Sequence, residues 1–182
     1  MADITHGTWI KDGKAVDKVY SNGQQIYGRN MLLGTKTPMP LLVNGGFGHV
    51  QYDFSPNYQG GEVTLSFDIE LKGITDFNVS QGPTMRVEFF NSWGSDTNTF
   101  EMEPNYPVDN RWVVTKIDAT HWHMSITVDA VYDEQHVMSK GLTFFYTLAP
   151  SGTTSGYIVS NATLTAGAST SPWTPAPEDI LN

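Results

Sequence analysis

Nine consecutive residues, Val63-Thr-Leu-Ser-Phe-Asp-Ile-Glu-Leu71, alternate apolar and polar side chains without a break. In an extended strand successive side chains point to opposite faces, so Val63, Leu65, Phe67, Ile69 and Leu71 share a buried face. Thr64, Ser66, Asp68 and Glu70 share the other. A helix would scatter the same apolar residues around its circumference. The run therefore requires a long strand buried on one side, as in an antiparallel sheet.

Shorter runs of the same kind recur: His49 to Phe54, Met85 to Asn91, Thr99 to Glu103, Arg111 to Ile117, Trp122 to Val128, Leu142 to Leu148 and Tyr157 to Thr165. Turn residues separate them, among them Pro56-Asn57, Gln59-Gly60-Gly61, Gly82-Pro83, Gly94-Ser95-Asp96, Pro104-Asn105, Asp109-Asn110 and Ser151-Gly152. No stretch sustains a 3.6-residue period, although Tyr132 to Met138 suits one short turn of helix. The composition agrees, with only 16% charged residues, 12% aromatics, 17 glycines and 10 prolines. The expected fold is all-β, a two-sheet antiparallel β-sandwich of the jelly-roll type.

The first thirty residues form a separate ribbon in this reading. Thr8 to Lys11, Lys14 to Tyr20 and Gln25 to Tyr27 flank turns at Asp12-Gly13 and Asn22-Gly23, the signature of a three-stranded hairpin meander. A boundary at Asn30 gives a β-ribbon over 1–30, the sandwich over 31–177, and a frayed tail or junction over 178–182. The segment Ser169-Thr-Ser-Pro-Trp-Thr-Pro-Ala-Pro177 holds three prolines and reads as an extended strap, pinned by Trp173.

Charge and cysteine usage narrow the function. Ten Lys plus Arg against nineteen Asp plus Glu leave a net charge of −9, a poor match to phosphate backbones. No run approaches the ~20 apolar residues of a membrane span. The N-terminus lacks the basic and apolar regions of a signal peptide. With no cysteine there are no disulfides, thiolate metal sites or cysteine nucleophiles. There is no Gly-x-Ser-x-Gly elbow, Gly-rich phosphate loop or His-Glu-x-x-His, so an enzyme is not expected.

Two segments resemble known proteins. The closing stretch, Ala162-Thr-Leu-Thr-Ala-Gly167 followed by Ser169-Thr-Ser-Pro-Trp-Thr-Pro-Ala-Pro-Glu-Asp179, resembles the end of jelly-roll modules in tail proteins of phages that infect Gram-positive bacteria. Those modules are similar to family 4/9-type carbohydrate-binding modules. The opening, with Gly7-Thr-Trp-Ile10, Ala15-Val-Asp-Lys-Val-Tyr-Ser-Asn-Gly23 and Tyr27-Gly-Arg-Asn-Met-Leu-Leu33, resembles their lead-in in distal tail and baseplate accessory proteins of lactic-acid-bacteria phages. The resemblance implies a virion location at the tail tip or baseplate, action at the bacterial surface, and other tail proteins as partners. Where the family's last strand reads Lys-Leu-Glu-Lys-Gly, this chain has Thr163-Leu-Thr-Ala-Gly167, so no structural cation site carries over there.

Candidate binding residues come from alternation. In Met85 to Asn91 the outward residues are Arg86, Glu88 and Phe90, and in Leu142 to Leu148 they are Thr143, Phe145 and Thr147. If the two strands are neighbours, aromatics lie beside an Arg and a Glu, a mix suited to the apolar face and hydroxyl rim of a pyranose. The competing reading has loops cover Phe90 and Phe145. Loop residues Trp93 and Tyr106, set among Asn, Ser and Asp, are further candidate sugar contacts, with Trp93 as a plug at the end of the sandwich the alternative, whereas Trp112 and Trp122 read as core. His121-Trp-His123 places two imidazoles on one face, but no third ligand has helpful spacing, and Asp129 to Glu134 lacks calcium-loop spacing. No cofactor is expected, with a structural calcium elsewhere left open.

The expected function is adhesion to a host cell-wall polysaccharide, a neutral glycan given the acidic chain. The alternatives are a structural spacer of the tail, or a polysaccharide-degrading tail enzyme.

Overall fold

A computed structural model of the chain describes residues 3–5, 8–12, 14–56, 58, 61–74, 85–90, 99–102, 111–129, 141–149 and 151–181. The alternating run becomes β8 (Glu62–Lys72), the middle strand of a five-stranded antiparallel sheet. Its neighbours are β12 (His121–Asp129) and β14 (Ser155–Ala166), flanked at the edges by β11 (Val113–Lys116) and β6 (Met39–Val43). A four-stranded antiparallel sheet has the order β10-β9-β13-β7, from β10 (Thr99–Met102), β9 (Met85–Phe90), β13 (Gly141–Ala149) and β7 (Gly46–Asp53).

The two sheets face each other across the apolar sides of these strands. Val63, Leu65, Phe67, Ile69 and Leu71 are buried, as the alternation requires, together with Val87, Leu142 and Phe144 from the opposing sheet. Phe67 and Phe144 meet edge to face at 4.8 Å, and Trp112 packs edge-on against Phe67 at 6.0 Å. Trp122 is half-buried against the same core, with Lys116 over its ring at 4.9 Å. Two polar links cross the layers. Tyr157 donates its hydroxyl to the Phe145 carbonyl at 2.5 Å, and Tyr146 bonds Ser155 Oγ at 3.0 Å. Burial drives the Tyr157 phenol well above its ordinary pKa, so it stays a neutral donor.

Several local features differ from the alternation reading. β6 contains Pro40, which lacks the amide a central strand needs, and it lies at a sheet edge. It presses so closely on β14 that a side chain at Gly156, whose φ is +145°, would meet the Leu41 carbonyl at 2.0 Å. β14 also carries a bulge between Ser160 and Thr163, with Asn161 at a φ of 51°. The opening segment is two small sheets rather than one meander: β1 (Asp3–Thr5), β2 (Thr8–Lys11) and β3 (Lys14–Ala15), then the hairpin β4 (Lys18–Ser21) with β5 (Gln24–Gly28). Asn22 and Gly23 at its turn both take positive φ, 51° and 78°. Trp9 packs on Tyr27 at 6.5 Å and so joins the two small sheets. The helical turn expected within Tyr132 to Met138 falls outside the described residues.

The ribbon ends in a buried lock. The side chain of Asn30, with no exposed surface, donates from Nδ2 to the carbonyls of Ala162 and Thr174, each at 3.0 Å, and to Thr35 Oγ1 at 3.1 Å. Its Oδ1 accepts from the amides of Leu32 and Leu164, both at 3.1 Å. Beside it Arg29 and Ser55 both donate to Glu178 Oε1 at 2.5 Å, and the Gly34 amide donates to Asp179 at 2.9 Å. Trp173 Nε1 donates to Thr35 at 3.2 Å. The acidic stretch expected to fray or to form a junction is not frayed: it is a docked turn, α1 (Glu178–Leu181), with Glu178 paired to Arg29.

Replacing Asn30 with Ala leaves two buried amides and two carbonyls without their side-chain partner, at ~1–3 kcal/mol for each unsatisfied group. Urea denaturation of Asn30→Ala is expected to show a loss of at least ~3 kcal/mol. A change below ~1 kcal/mol would mean that the lock is not formed in solution.

Candidate functional site

The outward face of the four-stranded sheet gathers the candidate residues that fall within the described structure. β9 and β13 are neighbours, with Phe145 opposite Arg86, Thr143 opposite Glu88 and Gly141 opposite Phe90. On the other side of β13, Phe145 lies opposite His49 and Thr143 opposite Gln51. The Arg86 guanidinium stands 4.9 Å from the centre of the Phe145 ring and bonds Glu88 at 2.7 Å. The His49 ring lies 5.8 Å from Phe145 on its other side, and Phe47 stacks on His49 at 6.3 Å. A row of π and guanidinium groups therefore crosses three strands.

This face is more closed than an open stacking platform. Phe145 is only 5% exposed, with Arg86 and His49 flanking its ring, and Glu88 is 8% exposed. The solvent-facing aromatic of the row is Phe47, at 62%. Alternation reaches it once the strand is begun at Gly46 instead of His49, because Phe47, His49 and Gln51 then fall on one side. Between Gln51 and Glu88 sits Thr143, fully buried, whose hydroxyl has no hydrogen-bond partner among the described residues. Two residues before it on the same strand, Gly141 leaves no room for a side chain, since an added Cβ would meet the Tyr52 carbonyl at 2.7 Å and Gln51 Nε2 at 2.8 Å. A carboxylate and a guanidinium beside aromatic rings can hold a polyhydroxylated ligand by hydrogen bonds and C–H stacking. Phe90 is placed by its backbone alone. Its side chain, and Trp93 and Tyr106 altogether, lie outside the described residues.

The outward face of the five-stranded sheet carries a second polar assembly. His123 Nδ1 lies 2.6 Å from Asp68, which also accepts from Asn161 Nδ2 at 2.7 Å. His121 shares the face, as expected of His121-Trp-His123, with its Nδ1 2.9 Å from Asp118. Among the described residues no three His, Asp or Glu side chains converge as a metal set would. Asp118 is held down to about 2, first by the Thr120 amide, then by the His121 ring and the His121 amide. Two depressions open here. One of about 400 Å³ lies beside Asp68, Glu70 and His121. One of about 440 Å³ lies between the strap at Ala168 and Thr170 and the strand edge at Val113.

No protein-family model, curated protein or solved structure matches this chain.

Asp118 supplies a pH test of the turn that orients His121. Its folded-state pKa, about 2, lies below the ordinary 3.8, so the contribution of these bonds is complete above 3.8 and is lost as pH falls through 2. A carboxyl-detected NMR titration is expected to give Asp118 a midpoint near 2. A midpoint at 3.8 would show that the Thr120 and His121 bonds are not formed.

Proposed function

We propose that this chain is a non-catalytic carbohydrate-binding module of a phage tail or baseplate protein that adheres to host cell-wall polysaccharide. One observation carries the reading: Phe145, Arg86 and Glu88 lie in register on one sheet face, with His49 and Phe47 continuing the row. Aromatic carbon and oriented polar groups on a rigid surface match the two-sided chemistry of a sugar ring. The net charge of −9 favours a neutral glycan over an anionic one.

The strand orders support a jelly roll. β6, β8, β12 and β14 share one sheet and β7, β9, β10 and β13 the other, so the chain repeatedly changes sheet as it folds. β11 extends the first sheet at its edge.

The segments that resemble phage tail modules also meet in the fold. The two segments, around Arg29-Asn30 and around Trp173 to Asp179, bond to one another or to the same short loop. Within the closing motif, Trp173, Thr174, Glu178 and Asp179 make these bonds. The rival reading, a spacer domain of the tail, draws on the burial of Phe145 and Glu88.

Fluorescently labelled chain is expected to decorate host cells. Arg86→Ala should weaken that binding without unfolding the sheet, and Trp93→Ala should weaken it by ~1–3 kcal/mol. Cells left unlabelled by a folded chain would favour the spacer. Release of reducing ends from purified wall polysaccharide would make it an enzyme.

A further inference from the structure

The depression of about 400 Å³ on the five-stranded sheet plays no part in the reading above. Its size falls within the ~300–1,000 Å³ of small-molecule clefts. Asp68, Glu70, His121 and Asn161 line it, with Ile117 and Ile158 as apolar ledges.

These polar groups are already held in place. Asn161 reaches Asp68 from the bulge on β14, where its left-handed backbone turns the amide out over the sheet. Asp68 is steadied from its other oxygen by His123. His121 faces a carboxylate at Nδ1, and an ionised carboxylate offers no hydrogen, so the imidazole carries its proton on Nδ1. The other ring nitrogen, Nε2, lies 4.0 Å from Glu70 Oε1, too far for a direct hydrogen bond. A ring nitrogen and a carboxylate oxygen at that spacing suit two adjacent hydroxyls, one to each. Lys72 pairs with Glu70 and compensates part of its charge, while Asp68 and Asp118 keep the site unfavourable to anions. Ile117, 63% exposed, and Ile158, half-buried, offer the C–H face of a sugar ring a surface to lie on.

We propose that this groove binds a neutral sugar residue through a vicinal diol bridging His121 Nε2 and Glu70, making it a second saccharide site on the face opposite the first. The ligand class rests on the glycan-binding reading, and the location rests on residues that reading does not use. With a site on each face, one module can hold two glycan strands at once, which raises its residence on a polysaccharide surface.

The test is an NMR titration of the ¹⁵N-labelled full chain with methyl glucoside, methyl galactoside and methyl rhamnoside, and with glycerol 3-phosphate as the anionic probe. At least one neutral glycoside is expected to shift the amides of Glu70, Ser160 and Asn161 and the His121 Nε2 resonance, saturably, while glycerol phosphate leaves them unmoved. His121→Ala should weaken that response at least tenfold. Asn161→Gly, which keeps the left-handed backbone, should weaken it severalfold. The same shifts should persist in Arg86→Ala. Shifts confined to the four-stranded sheet, no shift with any of the three glycosides, or an equal response to glycerol phosphate would each overturn the proposal. Groove shifts in a chain that fails to adhere to host cells would leave this site standing and remove the first reading.

Discussion

The buried amide of Asn30 ties together three parts of the chain that are far apart in sequence. Three acceptors surround its two Nδ2 hydrogens, so one hydrogen is shared, and Oδ1 serves two backbone amides. Only a planar side chain with both donors and an acceptor can satisfy backbone groups of both signs at one point. Asp would lose the donors, and Leu would strand every partner. Because Ala162 and Leu164 belong to β14 and Thr174 to the strap, the lock holds the strap against the last strand. The Arg29–Glu178–Ser55 cluster beside it draws in the final turn. The opening ribbon is thereby anchored to the body at its own last residues.

The lock leaves two sheet faces with different characters. On the four-stranded sheet Glu88 and Thr143 are buried beside aromatic rings, while Arg86 is half-buried over Phe145. A charged pair gains strength from such burial, and a buried hydroxyl without a partner among the described residues is costly. On the five-stranded sheet the polar groups are partly solvated and held by one another, in carboxylate–imidazole and carboxylate–amide pairs. Such pairs contribute little to stability when exposed, but they fix which atoms point outward.

The pattern of period two was enough to place β8, β9, β12, β13 and β14 to within about a residue or two, because each buries one face of the core. It also put Arg86, Glu88 and Phe145 on one side of their sheet, and the pairing of their strands follows the expectation. What escaped was governed by contacts between distant segments. β6 is short and contains Pro40, so its alternation is too brief to register. The bulge at Asn161 adds one residue, and nothing local marks that insertion as aimed at Asp68. His121 and His123 read as two surface imidazoles, since their carboxylate partners lie on β8 and in the turn at Asp118. The burial of Phe145 could not be read from its own strand, because His49 and Arg86 come from neighbours on either side. Asn30 was legible only as the end of a hairpin segment.

The central claim is that a sugar sits on the outward face of the four-stranded sheet. A crystal structure of the chain with a fragment of purified host wall polysaccharide tests it most directly. The account predicts the fragment along the Phe47–His49–Phe145–Arg86 row, with a hydroxyl within hydrogen-bond distance of Arg86. A bound fragment lying elsewhere would contradict it.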